Sequence, residues 1–304
     1  SFYNRKQLRK IETQNAEEIG TSAFRGCSAL TEVRFPKVTY IDNYGFQDCT
    51  NLTACDLPLV KSVGNAPFSG WTSLKNVNMP SITAVAGSLF KNTKIENIIL
   101  PKVNGIDGTG RVLGSCFSGC TSLKKVHFGG FVDISSTNAF LDCTSLKTAV
   151  VGNGANKISG AMFEGCTNLE SVTIGNSVTD IGDIAFRDCT GLTSVAISSG
   201  VVSINRYAFR YCGALTSVTI PDTVTSIGEY AFIDCISLEI LDLSTLTNLT
   251  GKHNWQNIAI VFAIAKNIGL SNNQIIKSIK SFSTLEHRIE NIGSFAGVQF
   301  INDS

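Results

Sequence analysis

Ten cysteines are the residues best equipped for chemistry in this chain, as thiolate nucleophiles, metal ligands or disulfide partners. Eight of them (Cys27, Cys49, Cys120, Cys143, Cys166, Cys189, Cys212 and Cys235) each stand three residues after a phenylalanine. A nucleophile or ligand is not needed in eight copies at one spacing, so the regularity favours core filling, with free Cys as a small buried hydrophobe. Stacked strands about 4.8 Å apart would bring such cysteines within bridging range, but parallel Cβ vectors disfavour the dihedral near 90° that a disulfide needs. Trp71 and Thr93 occupy the same position in two units, as a packing role allows, and Cys55 takes a strand position where other units carry Val. Cys116, Cys120 and His127 could begin a metal site, but the ligand set is incomplete, and no metal is expected. The run Gly105-Ile106-Asp107-Gly108-Thr109-Gly110-Arg111 has the glycines of a phosphate-binding loop. It lacks both the following Lys-Ser/Thr and the strand-to-helix frame, so no nucleotide cofactor is expected.

The cysteines belong to a repeat. Phe24, Phe46, Phe68, Phe90, Phe117, Phe140, Phe163, Phe186, Phe209 and Phe232 are spaced by 22, 22, 22, 27 and then 23 residues five times. Six residues after most of them comes Leu, then an alternating apolar pair such as Val172/Ile174 or Val218/Ile220, then a second pair such as Val178/Ile181. The L-x-x-V-x-I segment alternates with period two and predicts a short strand with Leu, Val and Ile inward. V-x-x-I-G predicts a second extended segment ended by a turn, and A-F-x-x-C a tight bend. A unit this small cannot bury its own apolar side chains, so the copies must stack, making a rod of roughly 45–50 Å. Pro36, Pro58, Pro80, Pro101 and Pro221 follow the strand, where a missing N–H costs least.

The motif A-F-x-x-C-x-x-L-x-x-V-x-I-P-x-x-V-x-x-I-G, nearly whole from Ala208 to Gly228, resembles the BspA-type leucine-rich repeat. The resemblance implies a leucine-rich-repeat solenoid, mainly β with short turns or helices, of about ten coils of 22–23 residues, curved and right-handed. It also implies a secreted or cell-surface protein engaged in adhesion and protein binding, with no catalytic residue in its repeats.

The bulk properties agree with a binding module. Hydrophobic residues make up 43% and charged residues 16% of the 304, enough for a folded core. With a net charge of +1, the basic face that phosphate neutralisation on nucleic acid needs is not expected. No apolar run approaches the 18 or so residues of a membrane span. A leader removed before Ser1 is compatible with the sequence.

Recognition would fall on outward strand residues. In the first half these are chemically varied, with Arg34, Asp56, Asn78, Lys125 and His127 as candidates; in the second half they form a Ser/Thr ladder better suited to supporting strand stacking. The long 27-residue period adds Asp107 and Arg111, because insertions in repeat proteins map to surface loops. For any single residue an ordinary solvated face is the competing explanation. The partner is a protein or a glycan of unspecified identity.

After Leu243 the period ends. Trp255 to Ile268 and Asn273 to Phe282 carry helical apolar spacing, and Arg288 to Ile301 alternates as a hairpin turning near Ala296-Gly297. Three runs, Leu249 to Asn257, Leu285 to Glu290 and Gly297 to Ser304, together resemble the end of the central domain of Mur ligases, chiefly the D-glutamate-adding members. The resemblance covers residues 248–304. It implies that Asn254 and Asn257 face an ATP adenine, that Arg288 lies towards the phosphates, and that Asp303 stands at the entry to a third domain. The phosphate loop, the acidic metal ligands and that third domain have no counterpart here, so the segment is expected to be an inactive fused fragment. The expected organisation is an N-terminal edge at 1–18, a solenoid at 19–246, and a ligase-like fragment at 247–304, docked on the last coil or disordered.

Overall fold

A computed structural model describes residues 1–83, 87–100, 114–128, 137–151, 155–238, 240–242, 293–295 and 298–300. Over the repeats they form a parallel β-solenoid, with no helix among the described residues. Each strand returns to the sheet only after a full coil, so pairing is parallel and in register.

The principal ladder follows the L-x-x-V-x-I motif. Lys10–Glu12 pairs with Glu32–Arg34, and Ala54–Asp56 with Asn76–Asn78. Seven further strands make one sheet: Asn97–Leu100, Lys125–Phe128, Thr148–Val151, Ser171–Ile174, Ser194–Ala196, Ser217–Thr219 and Ile240–Asp242. Val172, Val195 and Val218 are register partners and buried, while Ser171, Ser194 and Ser217 beside them are exposed. This is the alternation that period-two patterning dictates. A second ladder of two-residue strands is built from the V-x-x-I segments: Glu18–Ile19, Tyr40–Ile41 and Ser62–Val63, then Lys157–Ile158, Asp180–Ile181, Ser203–Ile204 and Ser226–Ile227.

The A-F-x-x-C bend forms the third side. Its phenylalanines stack in one column from Phe2 to Phe232, with ring centroids 5.0 Å apart at Phe24–Phe46 and 6.3 Å at Phe46–Phe68. Such pairs add about 0.5–1.5 kcal/mol each beyond the area they bury. The column continues across the 27-residue period, where Phe90 and Phe117 lie 5.7 Å apart, so the extra residues do not break the core. Phe2 occupies the same column, stacked on Phe24 at 5.5 Å, and Lys10–Glu12 extends the strand ladder, so the first residues are wound as a coil too.

All left-handed residues described fall at two places in the coil, two residues before and two residues after the phenylalanine. Ser22 and Gly26 flank Phe24, Tyr44 and Asp48 flank Phe46, and Tyr207 and Tyr211 flank Phe209. The two left-handed residues lie four apart, and every second amide of the bend faces the next coil. In the first full repeat the amides of Ser22, Phe24 and Gly26 donate to the carbonyls of Asn43, Gly45 and Gln47 in the next coil, at 2.9, 2.8 and 2.8 Å. The bend thus joins neighbouring coils by hydrogen bonds without forming a strand.

Beyond the solenoid, Gly293–Phe295 and Val298–Phe300 pair antiparallel, with Phe295 opposite Val298, where the alternating pattern predicts a hairpin. The segments with helical spacing, Trp255 to Ile268 and Asn273 to Phe282, lie outside the described residues.

Candidate functional site

The outward strand row carries the varied residues of the first half. Arg34 is exposed, registered on Glu12, and its guanidinium lies 3.5 Å from that carboxylate. Asp56 and Asn78 are register partners, and the Asn78 Nδ2 donates to the Asp56 Oδ1 at 2.8 Å. Lys125 is exposed and registered between Asn97 and Thr148, and the backbone of His127 pairs opposite Ile99. The polar groups of Arg34, Asp56 and Asn78 therefore already have neighbours in the row, and exposed pairs of this kind contribute about 0–1 kcal/mol. Asp107, Arg111, Asn254, Asn257 and Arg288 lie outside the described residues.

The cysteine ladder has an organisation that its spacing did not reveal. All ten thiols are buried and unbridged. The Sγ of Cys49, Cys166, Cys189 and Cys235 donates to the carbonyl of Phe24, Phe140, Phe163 and Phe209 of the preceding coil, at 3.1 to 3.2 Å. Where Trp71 replaces Cys, its indole N–H donates to the Phe46 carbonyl, so the replacement keeps the donor. In these coils the position holds a group with one N–H or S–H aimed at the preceding carbonyl, while Thr93 fills it with a hydroxyl 3.4 Å from the Cys120 Sγ. Burial pushes the Cys120 thiol up to about 11 and the Cys116 thiol up to about 12. Thiols held this far from the thiolate make poor nucleophiles and poor metal ligands.

A richer surface lies on the bend side of the last coils. Tyr207 and Tyr230 occupy the same left-handed position in successive coils, with φ of 56° and 57°, and their rings stack at 5.3 Å and 11°. Tyr211, also left-handed, is exposed beside them. The Arg206 guanidinium lies 4.6 Å from the centre of the Tyr207 ring. Arg210 lies 5.0 Å from Tyr207 and 4.3 Å from Tyr211. Glu229 is 3.6 Å from Arg206 and Asp234 is 3.9 Å from Arg210, so the cluster is close to neutral. Ile236, 75% exposed, lies in the same coil as Tyr230. Left-handed backbone costs an L-residue roughly 1–2 kcal/mol, and these positions elsewhere carry Asn, Asp, Ser or Gly, and also Tyr44, Ala66, Ala161 and Ile184. The repeat thus imposes this backbone whatever the residue, and in the last coils it sets three tyrosine rings, Tyr207, Tyr211 and Tyr230, in one patch. The signal was present in the sequence as tyrosines two positions either side of Phe209 and two positions before Phe232.

Comparison with known proteins fits this architecture. The family profile described as "BspA type Leucine rich repeat region" matches residues 1–109, 107–212 and 180–303. The chain belongs to the BspA-type leucine-rich repeat family. A leucine-rich cell surface protein of Faecalibacterium prausnitzii A2-165 is 27% identical, with a TM-score of 0.49 over 84% of this chain and 76% of that one. A leucine-rich repeat protein of Bacteroides ovatus is 23% identical, with a TM-score of 0.43 over 78% of this chain and 79% of the other. A separate, short likeness runs to the UDP-N-acetylmuramoylalanine–D-glutamate ligase of Caulobacter sp. (strain K31), 44% identical over 66 residues, or 22% of this chain. The chain spans 14% of the length of that ligase. This BspA-type chain therefore carries a repeat region together with a Mur-ligase-like fragment. Among its described residues no helix is long and apolar enough to cross a membrane.

Proposed function

We propose that this BspA-type chain is a non-catalytic adhesion module, secreted or displayed at a cell surface, that binds a protein partner through the arginine–tyrosine edge of its last coils. The observation that carries this reading is the set of strained, outward tyrosines Tyr207, Tyr211 and Tyr230 interleaved with Arg206 and Arg210. Tyr and Arg dominate binding hot spots because they add large contact area and directional hydrogen bonds at small entropy cost. The strand residues Arg34, Asp56, Asn78, Lys125 and His127 form a second contact row in the same reading, and Asp107 and Arg111 of the long period are further contact candidates.

The test compares the intact chain with a Tyr207→Asn/Tyr230→Asn variant for surface plasmon resonance binding to purified extracellular-matrix glycoproteins. Relief of about 1–2 kcal/mol of backbone strain per site offsets ring contacts worth about 0.5–1.5 kcal/mol, so the variant keeps its melting point within a few degrees. Its binding falls about tenfold or more. Equal binding by both proteins would remove the edge from the reading, and a wild-type chain that binds no member of the panel would sink the adhesion role.

The ligase-like segment is read as a fused fragment without ligase turnover, in which Asn254, Asn257 and Arg288 have no catalytic part. The sequence holds no glycine-rich loop ending in Lys-Ser/Thr to cradle the phosphates. With UDP-N-acetylmuramoyl-L-alanine, D-glutamate and ATP, phosphate release stays at background; substrate-dependent release would overturn this reading.

A further inference from the structure

On the bend side of the early coils the left-handed rows leave a gap. Two residues before the phenylalanine, Tyr44 is followed in the next two coils by Ala66 and Ser88; two residues after it, Asp48 is followed by Gly70 and Asn92. In the last coils the same first row is filled by Tyr207 stacked on Tyr230. Where Ala66 and Gly70 stand, no side chain reaches out, and an open trough of about 550 Å³ results. Small-ligand clefts measure about 300–1,000 Å³, so the trough is of ligand size.

Its lining defines the ligand. Ala66, Ser69 and Gly70 line it in the middle coil; Tyr44, Gln47 and Asp48 belong to the coil before, and Ser88, Lys91 and Asn92 to the coil after. The Gln47 Oε1 is shielded from solvent and accepts no hydrogen bond within the protein, an exception among buried polar atoms. Tyr44 is 38% exposed and strained at φ 58°, and the Arg25 guanidinium, which is not part of the lining, lies 5.4 Å from its ring centre. One carboxylate, Asp48, and one ammonium, Lys91, balance, so the lining does not select a charged ligand. It presents many hydrogen-bonding groups and a single aromatic plane, which suits an apolar ligand poorly. A carboxylate and carboxamides for hydroxyl groups, beside a ring for a C–H face, are what a neutral saccharide requires.

We propose that this trough, formed by the coils of Phe46, Phe68 and Phe90, binds a short neutral oligosaccharide, with Tyr44 stacking on one sugar face and Asp48 and Asn92 holding its hydroxyls. The site deepens the adhesion reading and rests on it, but it shares no residue with the arginine–tyrosine edge.

The experiment is saturation-transfer NMR on the intact chain with four probes: maltotriose, cellotriose, chitotriose and N-acetyllactosamine. Two variants accompany it. Tyr44→Gly removes the ring while giving the left-handed position a residue that accepts it. Ala66→Tyr fills the trough by placing a ring one coil along from Tyr44, as Tyr230 lies one coil along from Tyr207. The expected result is saturation of ring C–H protons in at least one probe, weakened about tenfold or more in affinity by Tyr44→Gly and abolished by Ala66→Tyr. The Tyr207→Asn/Tyr230→Asn variant keeps the saccharide signal in full. Transfer to none of the probes, or transfer unchanged in a folded Ala66→Tyr chain, overturns the site. Protein binding left unchanged by Tyr207→Asn/Tyr230→Asn, with saccharide binding that responds to Ala66→Tyr, removes the arginine–tyrosine edge alone, so the two failures are distinguishable.

Discussion

The Oδ1 of Asp48 lies 2.4 Å from the place a β-carbon would take on Gly70, one coil further along. Real β-carbons do not approach other atoms within 3.0 Å, so any residue other than glycine at that position must displace the Asp48 carboxyl. The same relation holds between Asn92 and Gly119 at 2.2 Å and between Asp142 and Gly165 at 2.3 Å. Consecutive coils therefore alternate, Asn4, Gly26, Asp48, Gly70, Asn92, Gly119, Asp142, Gly165, a two-coil rhythm laid over the single repeat. It ends at Tyr211, which follows Asp188; there the Asp188 carboxylate lies 3.5 Å from the Arg187 Nε instead.

Gly70→Ala is expected to destabilise the chain by about 2 kcal/mol, combining a left-handed alanine with the carboxyl clash. In an Asp48→Gly background the same substitution costs less, by about 0.5–1 kcal/mol, because one of the two penalties is gone. Urea unfolding of the four proteins gives the coupling. Strict additivity would mean that the alternation has no steric origin.

The thiol ladder predicts chemical silence. With all ten cysteines buried and burial raising the thiols of Cys55, Cys116 and Cys120 to about 11–12, Ellman's reagent finds almost no reactive thiol in the folded chain. It finds all ten after denaturation without reductant. A deficit in the denatured count would reveal bridges. Cys189→Ala additionally removes the thiol donor to the Phe163 carbonyl, which keeps the Cys166 amide at 3.1 Å, and costs about 0.5–1.5 kcal/mol, a loss that thermal melts report.

Asp42 supplies a pH dependence whose sign is fixed. Its carboxylate accepts hydrogen bonds from the Thr21 hydroxyl, from the Asn43 amide at 2.7 Å and from the Tyr40 hydroxyl at 3.3 Å. The Thr21 contact contributes most to holding the carboxyl below the usual carboxylate range. A lowered carboxyl adds stability that is complete above the ordinary value near pH 3.9 and fades as pH falls through the folded value. Thr21→Val is therefore less stable than wild type at pH 7, and the gap in melting temperature closes towards pH 2. A gap independent of pH would show that the hydroxyl acts through packing alone.

The repeat was legible because its cause is local and recurrent. Phe, Cys and Leu at fixed offsets must all point inward, and period-two alternation at Val172/Ile174 assigns the strand without knowledge of its neighbours. The hairpin at Gly293–Phe295 and Val298–Phe300 was readable for the same reason. The candidate sites were less so. Reading outward strand residues singled out Arg34, Asp56 and Asn78, whereas the bend residues Tyr207, Tyr211 and Tyr230 carry the more distinctive geometry. Nothing in one coil's sequence says that a bend tyrosine takes a left-handed φ or that its ring will meet an arginine.

By itself the sequence determined the period, the inward face and the need to stack, since a unit of this size cannot bury its apolar residues alone. Only the tertiary structure decided what residues of different coils do to one another. The thiol that donates to a carbonyl 26 residues back, the carboxyl that a β-carbon 22 residues on must displace, and the trough left by Ala66 and Gly70 are of this kind. Such relations depend on the few ångströms between stacked coils, a distance that stacking sets and no single repeat contains.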